Sequence, residues 1–317
     1  MCIDASPFLL YTVGVMDLFG ALKKSWYFIS VYVIRLFLLC IDESLLFYTV
    51  GVMDLLGGTG GLVEFKASLL ASHGFAALAL AYFGYDDLPS SPSPYVELEY
   101  IEEAAEWLYQ HSKVIPGGIA LHSHCLGSWL ALLLASYRTD LVKAVVAIAP
   151  IFCAFGNTAY RYKGKLSNVY SYSKEALKVT DQGVMVRFCS ATLKETTNPL
   201  ADFPAMTPVE NISCPVLLIY GTEDLNVDAK LTSGYILDQL KAAGKESLCT
   251  VLQLPGAGHI IDPPHSPLFY STYSNQSKMF LVWGGQVKPH AMGQVIYWDK
   301  TLQFLKQNLM RNVKSSL

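Results

Sequence analysis

The chain has 317 residues, of which 52% are hydrophobic and only 15% charged, and its net charge is −3. That length suits one large α/β domain, and the sparse charge fits a sheet covered by helices on both faces. The mildly acidic balance leaves no footprint for a nucleic acid, and seven scattered cysteines without a Cys-x-x-Cys pair give neither a disulfide framework nor a zinc site, which favours a reducing compartment.

The amino-terminal stretch carries a repeat. Cys2-Ile3-Asp4 and Tyr11 to Leu18 recur as Cys40-Ile41-Asp42 and Tyr48 to Leu55. A solenoid needs about three or more copies, and no third follows. Each copy reads as one strand, and only the second runs on into a glycine-rich loop. Residues 1–39 are therefore expected to stand outside the sheet, and 1–47 to form a duplicated, apolar segment of their own. Within it Trp26 to Cys40 is apolar behind Lys23-Lys24, but it contains Arg35 and is shorter than the roughly 20 residues of a membrane span. With no small-x-small cleavage site either, membrane insertion is not the expectation.

From Tyr48 the pattern is regular. A strand ending near Leu56 leads through Gly57-Gly58-Thr59-Gly60-Gly61 into a helix over Leu62 to His73, and Ala76 to Tyr82 is the next strand. Prolines 89, 92 and 94 make a loop of Leu88 to Pro94, before a helix over Val96 to His111. An apolar strand and then a helix occupy Gly118 to Ser136, and Leu141 to Ala149 is again a strand. Strands alternating with helices predict a mostly parallel, doubly wound sheet. Residues 151–211 break the rhythm and read as a lid-like insertion in a catalytic domain of 48–310. Regularity returns with a strand at Val216 to Tyr220, a helix over Lys230 to Ala243, a strand at Leu248 to Leu254 and a helix from Gly293 to Met310. A tail of 311–317 closes the chain.

The chemistry centres on Ser123-His124-Cys125-Leu126-Gly127, at the junction of strand and helix. Small residues two places before and after Cys125 are what a sharp strand-to-helix turn needs, since neighbouring backbone crowds both positions. This is the nucleophile elbow of α/β-hydrolases with Cys where Ser is usual. Asp224 and His259 each follow closely on a predicted strand, where open parallel sheets place their sites. The order Cys125, Asp224, His259 is nucleophile, acid, histidine. His259 would accept the Cys125 proton and Asp224 would orient the imidazole. Glu223 competes for the acid role, because one residue of loop register separates the two. For an oxyanion, the amide of Leu126 is one expected donor, and Gly58, Thr59 or Gly60 of the glycine-rich loop supplies the other. That loop lacks a phosphate-binding signature. His122 and His124 share a strand face away from Cys125, which argues against a metal.

These residues sit in a longer likeness. Gly60 to Ala71 (GGLVEFKASLLA), Leu80-Ala81-Tyr82, Asp87-Leu88-Pro89, Leu98-Glu99-Tyr100, Arg161 to Gly164, Pro208-Val209-Glu210, Gly258 to Pro264, Trp283-Gly284-Gly285 and Pro289-His290-Ala291 all resemble the acyl-CoA thioesterase and bile acid-CoA:amino acid N-acyltransferase family, over about Tyr48 to Leu309. The resemblance implies an α/β-hydrolase fold and puts Cys125, Asp224 and His259 on the triad positions. It makes coenzyme A thioesters substrates rather than cofactors. Thioesterases of the family generally carry Ser at the first position and the conjugating branch Cys. Two departures stand out: the family's N-terminal β-sandwich is replaced here by the repeat, and Ser123, Leu126 and Ser128 differ from the usual elbow.

The expected function is acyl transfer through an acyl-Cys125 intermediate to an amino acid such as glycine or taurine. A thioester is attacked by amines far more readily than an oxygen ester, while hydrolysis differs less. The alternatives are a thioesterase using water and, from another class, a truncated relative without catalysis. Ser315-Ser316-Leu317 resembles the peroxisomal Ser-Lys-Leu address without its basic residue, so cytoplasm and peroxisome both fit.

Overall fold

A computed structural model describes residues 37–40 (as backbone), 48–154, 158–169, 177–186, 206–275 and 277–309. In chain order its elements are β1 (Phe37–Cys40), β2 (Gly51–Leu55), α1 (Phe65–Ser72), β3 (Ala76–Leu80), β4 (Tyr95–Glu97), α2 (Leu98–Gln110), β5 (Ile119–His124), α3 (Leu126–Tyr137) and β6 (Val142–Ile148). There follow β7 (Ala159–Tyr162), β8 (Lys165–Leu166), β9 (Leu177–Thr180), β10 (Gly183–Val186), β11 (Val216–Gly221), α4 (Ala229–Ala242), β12 (Cys249–Leu254), β13 (Ser271–Ser274), β14 (Met279–Val282) and α5 (Val287–Leu309).

Seven strands form the central sheet in the order β1-β3-β2-β5-β6-β11-β12, parallel from β3 onward. β2, β3, β5 and β11 are buried along their whole length, which explains their near-continuous apolar runs. On one face Leu98, Ile101 and Leu108 of α2, the Leu130 to Leu134 run of α3 and Ile236 and Leu240 of α4 build one core. On the other, Ala67 and Leu70 of α1 pack with Tyr297, Phe304 and Leu305 of α5. Both cores press on β5, whose carboxyl end therefore has little freedom to move.

Four features differ from the sequence reading. Phe37–Cys40, the end of the apolar run, pairs antiparallel with β3 as an edge strand, so the segment reaches the sheet after all. Tyr11 to Leu18 lies outside the described residues. β4 precedes α2 and pairs with β7, held by an Arg161–Glu97 ion pair across the loop. The insertion is partly regular: β9 and β10 join the hairpin β13–β14 in a four-stranded sheet, with Val184 paired to Leu281. Finally, α5 begins at Val287, because Pro289 falls in a first turn that has no use for its missing amide. Among the described residues no helix is long and apolar enough to cross a membrane.

Candidate active site

Cys125 is the pivot between β5 and α3. It sits at φ 53°, a left-handed conformation that costs a non-glycine residue energy and persists only where its surroundings impose it. The constraint is visible two residues on: a Cβ at Gly127 would lie 2.2 Å from the Leu55 carbonyl oxygen. Ser123 is fixed from below, its hydroxyl donating to the Val146 carbonyl at 2.8 Å. The Cys125 amide donates to the Ile148 carbonyl at 2.9 Å, so the turn is tied to β6 as well.

Asp224 and His259 come together beside it. His259 Nδ1 lies 2.8 Å from Asp224 Oδ2, with both side chains almost wholly buried. Asp224 Oδ1 accepts the amides of Asn226 and Val227 at 2.8 and 2.9 Å, which leaves Oδ2 for the imidazole. Glu223 is exposed and takes no part. The two loops can meet because Gly221 carries no side chain; a Cβ there would strike the Ala257 carbonyl at 2.2 Å. Burial alone would lower the His259 pKa. The Asp224 carboxylate, the Cys125 thiolate and hydrogen bonds to both outweigh it and raise the pKa to about 10. The ring also stacks on Trp283, 5.4 Å between centroids and 16° from parallel, and the His259 amide donates to the Trp283 carbonyl.

On the opposite side of Cys125 runs the glycine-rich loop. A Cβ on Gly57 would sit 3.0 Å from that of Cys125, so the main chain passes directly alongside. Tyr82 donates its hydroxyl to the Leu56 carbonyl and steadies the loop's first residue. Gly57, Gly58, Thr59 and Leu126 all line the same cavity as Cys125. Leu126, in the first turn of α3, has an amide that the helix ladder leaves free. Gly60 stands apart from them: its amide donates to the Gly57 carbonyl at 3.4 Å, and a Cβ there would meet the Phe83 ring at 2.5 Å.

The neighbouring histidines have separate partners. His122 is locked between Asp54 at 2.6 Å and the Tyr297 hydroxyl at 3.2 Å, deep under α5. His124 Nε2 faces the His259 carbonyl at 2.9 Å and therefore carries the proton. Burial first, then the charges of His259 and Lys66, hold its pKa well below the ordinary value, so it is neutral. Among the described residues no group of three or more His, Cys, Asp or Glu could hold a metal ion.

The cavity measures about 700 Å³ and is mainly apolar. Its wall includes Val63, Phe65, Ile151, Leu177, Val186, Phe269, Met279, Leu281 and Trp283. Five of these nine come from the insertion and from the β13–β14 hairpin, and local sequence patterns did not reveal the hairpin.

The sheet and elbow define an α/β-hydrolase. A dienelactone hydrolase-like promiscuous phosphotriesterase from metagenomic libraries superposes with a TM-score of 0.53 at 15% identity, covering 86% of this chain and 92% of its own, which concerns the fold alone. Residues 96–311 match the family model described as "BAAT / Acyl-CoA thioester hydrolase C terminal", and the chain belongs to that family. The bile acid-CoA:amino acid N-acyltransferase of Mus musculus is 39% identical over 82% of this chain and 60% of that protein. The peroxisomal succinyl-coenzyme A thioesterase of Mus musculus is 31% identical over 80% and 58%. The chain thus spans about 60% of the length of these curated relatives.

Proposed function

We propose that the chain transfers an acyl group from a coenzyme A thioester, through Cys125, to the amine of a small amino acid such as glycine or taurine. The observation that carries this is a cysteine at the elbow, beside a histidine aligned by a buried carboxylate at 2.8 Å, at the wall of a large apolar cavity. In the first step Cys125 thiolate attacks the thioester carbonyl while the acyl chain occupies the cavity. The Leu126 amide and one of the Gly58 or Thr59 amides face the developing oxyanion. Coenzyme A leaves with the proton of His259.

The resulting acyl-cysteine is neutral, and that changes His259. One of the charges that raised its pKa has gone, so the pKa falls, and the imidazole, having given its proton to coenzyme A, is ready to take another. An amine attacks, the C–N bond forms as the C–S bond breaks, and the nitrogen's proton passes to His259. Retention of a thioester in the intermediate favours an amine over water at this step, and the relative named as an amino acid N-acyltransferase supports the same acceptor. Hydrolysis is the second reading, supported by the relative named as a thioesterase. Cytoplasm or peroxisome is the compartment we infer, from the cysteine usage and the relative named as a peroxisomal thioesterase.

The test supplies an acyl-CoA with excess glycine or taurine and quantifies amide against free acid. Wild type should give mostly amide, Cys125→Ser mostly acid, and Cys125→Ala neither product nor an acyl-enzyme mass. Free acid alone from wild type at saturating amine would establish the hydrolase. No acyl-enzyme from wild type would establish a non-catalytic relative.

A further inference from the structure

Within this mainly apolar cavity sits an ion pair that the mechanism above does not use. Lys66, in the first turn of α1, is 2% exposed and places its Nζ 2.9 Å from Asp262 Oδ1. The Asp262 side chain is itself only 13% exposed, and both residues line the cavity that holds Cys125 and His259. Apart from the imidazoles of His259 and neutral His124 and the thiols of Cys125 and Cys153, they are the cavity's only ionisable side chains among the described residues. Their placement is close to the reaction. Lys66 follows the glycine-rich loop, and its charge is felt by the His124 imidazole next to Cys125. Asp262 lies three residues beyond His259 on the same loop.

A buried ion pair is a weak stabiliser, because mutual attraction repays the loss of hydration only in part. An acyl chain has no use for one either. A zwitterion does. Resting on the amine-acceptor reading, we infer that Lys66 and Asp262 are the acceptor subsite, which selects amines bearing an acidic group two or three bonds away. The Lys66 ammonium takes the carboxylate or sulfonate of the acceptor, while Asp262 faces its ammonium end. Lys66 has three donors and spends one on Asp262, so it can add an anion without releasing its partner. Asp262 in turn keeps Lys66 aimed when no acceptor is present.

In the covalent step the ammonium first gives one proton to water. The free amine then attacks the acyl-Cys125 carbonyl, the C–N bond forms, the C–S bond breaks to Cys125 thiolate, and His259 takes the second proton. Lys66 keeps the acidic end fixed throughout. Coenzyme A also carries anions, but its phosphates are bulky and multiply charged, and a single lysine sunk in an apolar wall suits a small monoanion better.

Amide formation from taurine and from ethanolamine, which carries an uncharged hydroxyl in place of the sulfonate, tests the subsite, together with the KM for acyl-CoA and the hydrolysis rate without amine. Wild type should favour taurine over ethanolamine in kcat/KM by about tenfold or more, as expected for a charge-assisted contact. Lys66→Met should abolish that preference while its acyl-CoA KM and hydrolysis rate stay within about twofold. Lys66→Arg should retain part of the preference and guards against misfolding of the methionine variant. Three results overturn the subsite: a preference that survives in Lys66→Met, a raised acyl-CoA KM, which would assign the lysine to coenzyme A, or equal losses in hydrolysis and aminolysis, which would make the pair a tie between α1 and the His259 loop. If wild type forms no amide with any amine, the acceptor reading itself fails and the subsite with it.

Discussion

The carboxyl ends of β5, β11 and β12 and the four-stranded roof of β9, β10, β13 and β14 border one cavity, yet they are built by opposite means. At the sheet ends each functional group follows its own strand within a few residues, and main-chain crowding leaves it one position. The roof depends on partners far apart in sequence, with Val184 of β10 beside Leu281 of β14, and Val179 and Phe280 within it are well exposed. Among the described residues, the candidate catalytic groups thus rest on tightly crowded backbone, and much of the cavity's shape on exposed strands.

The sharpest way to break this contrast is at Gly127. Its Cβ position is occupied by the carbonyls of Leu55 and Leu56, 2.2 and 2.5 Å away, and strand backbone cannot withdraw. Gly127→Ala should cost about 3 kcal/mol or more and abolish acyl-enzyme formation, as read by urea denaturation and intact mass. Gly234→Ala is the control. An exposed site in α4 with nothing within 4 Å should gain about 0.5–1 kcal/mol.

Next comes Asp224. Asp224→Asn should lower kcat by about 10³- to 10⁴-fold, whereas Glu223→Gln should stay within about twofold. A reversed result would transfer the acid role to Glu223. The same variant has a signature in pH. His259 has a folded pKa of about 10 against 6.5 unfolded, so its charge stabilises the protein fully below pH 6.5, and this contribution is lost as pH rises through about 10. The titration of His259, followed by NMR, should move below 10 in Asp224→Asn because the largest raising charge is removed.

The smallest effect is expected in the roof. Leu281 is only half-buried, so Leu281→Ala should cost about 1 kcal/mol while shifting kcat/KM among acyl chain lengths by a few-fold. A loss of activity uniform over all chain lengths would show that the roof positions the catalytic groups instead of the chain.

This division also governs what can be read from residue order. The elbow is legible because crowding restricts Ser123 and Gly127 to small residues, and Asp224 and His259 because each lies just past an apolar strand. Gly60 was not separated from Gly58 and Thr59 because a run of adjacent glycines does not reveal which one turns toward Phe83. β13 is Ser-Thr-Tyr-Ser with no apolar alternation, β14 is an apolar run of only four residues, and β9 is largely exposed, so only their pairing defines them. The pairing of Lys66 with Asp262 was not legible, since a contact between α1 and the loop after β12 leaves no trace in either segment. Phe37–Cys40 misled for the opposite reason: a repeat implied redundancy where the sheet had an open edge.

The elbow has a consequence at the level of the genetic code. The demands of the turn at φ 53° fall on the backbone of residue 125 and on its small neighbours, and none falls on the identity of the γ atom, which faces the cavity. Serine and cysteine share that geometry, and their codons differ by one nucleotide. A lineage with this turn can exchange oxygen for sulfur at its nucleophile in a single mutational step, with no intermediate that must fold differently. On the proposed reading, a preference between water and an amine could change hands in that same single step.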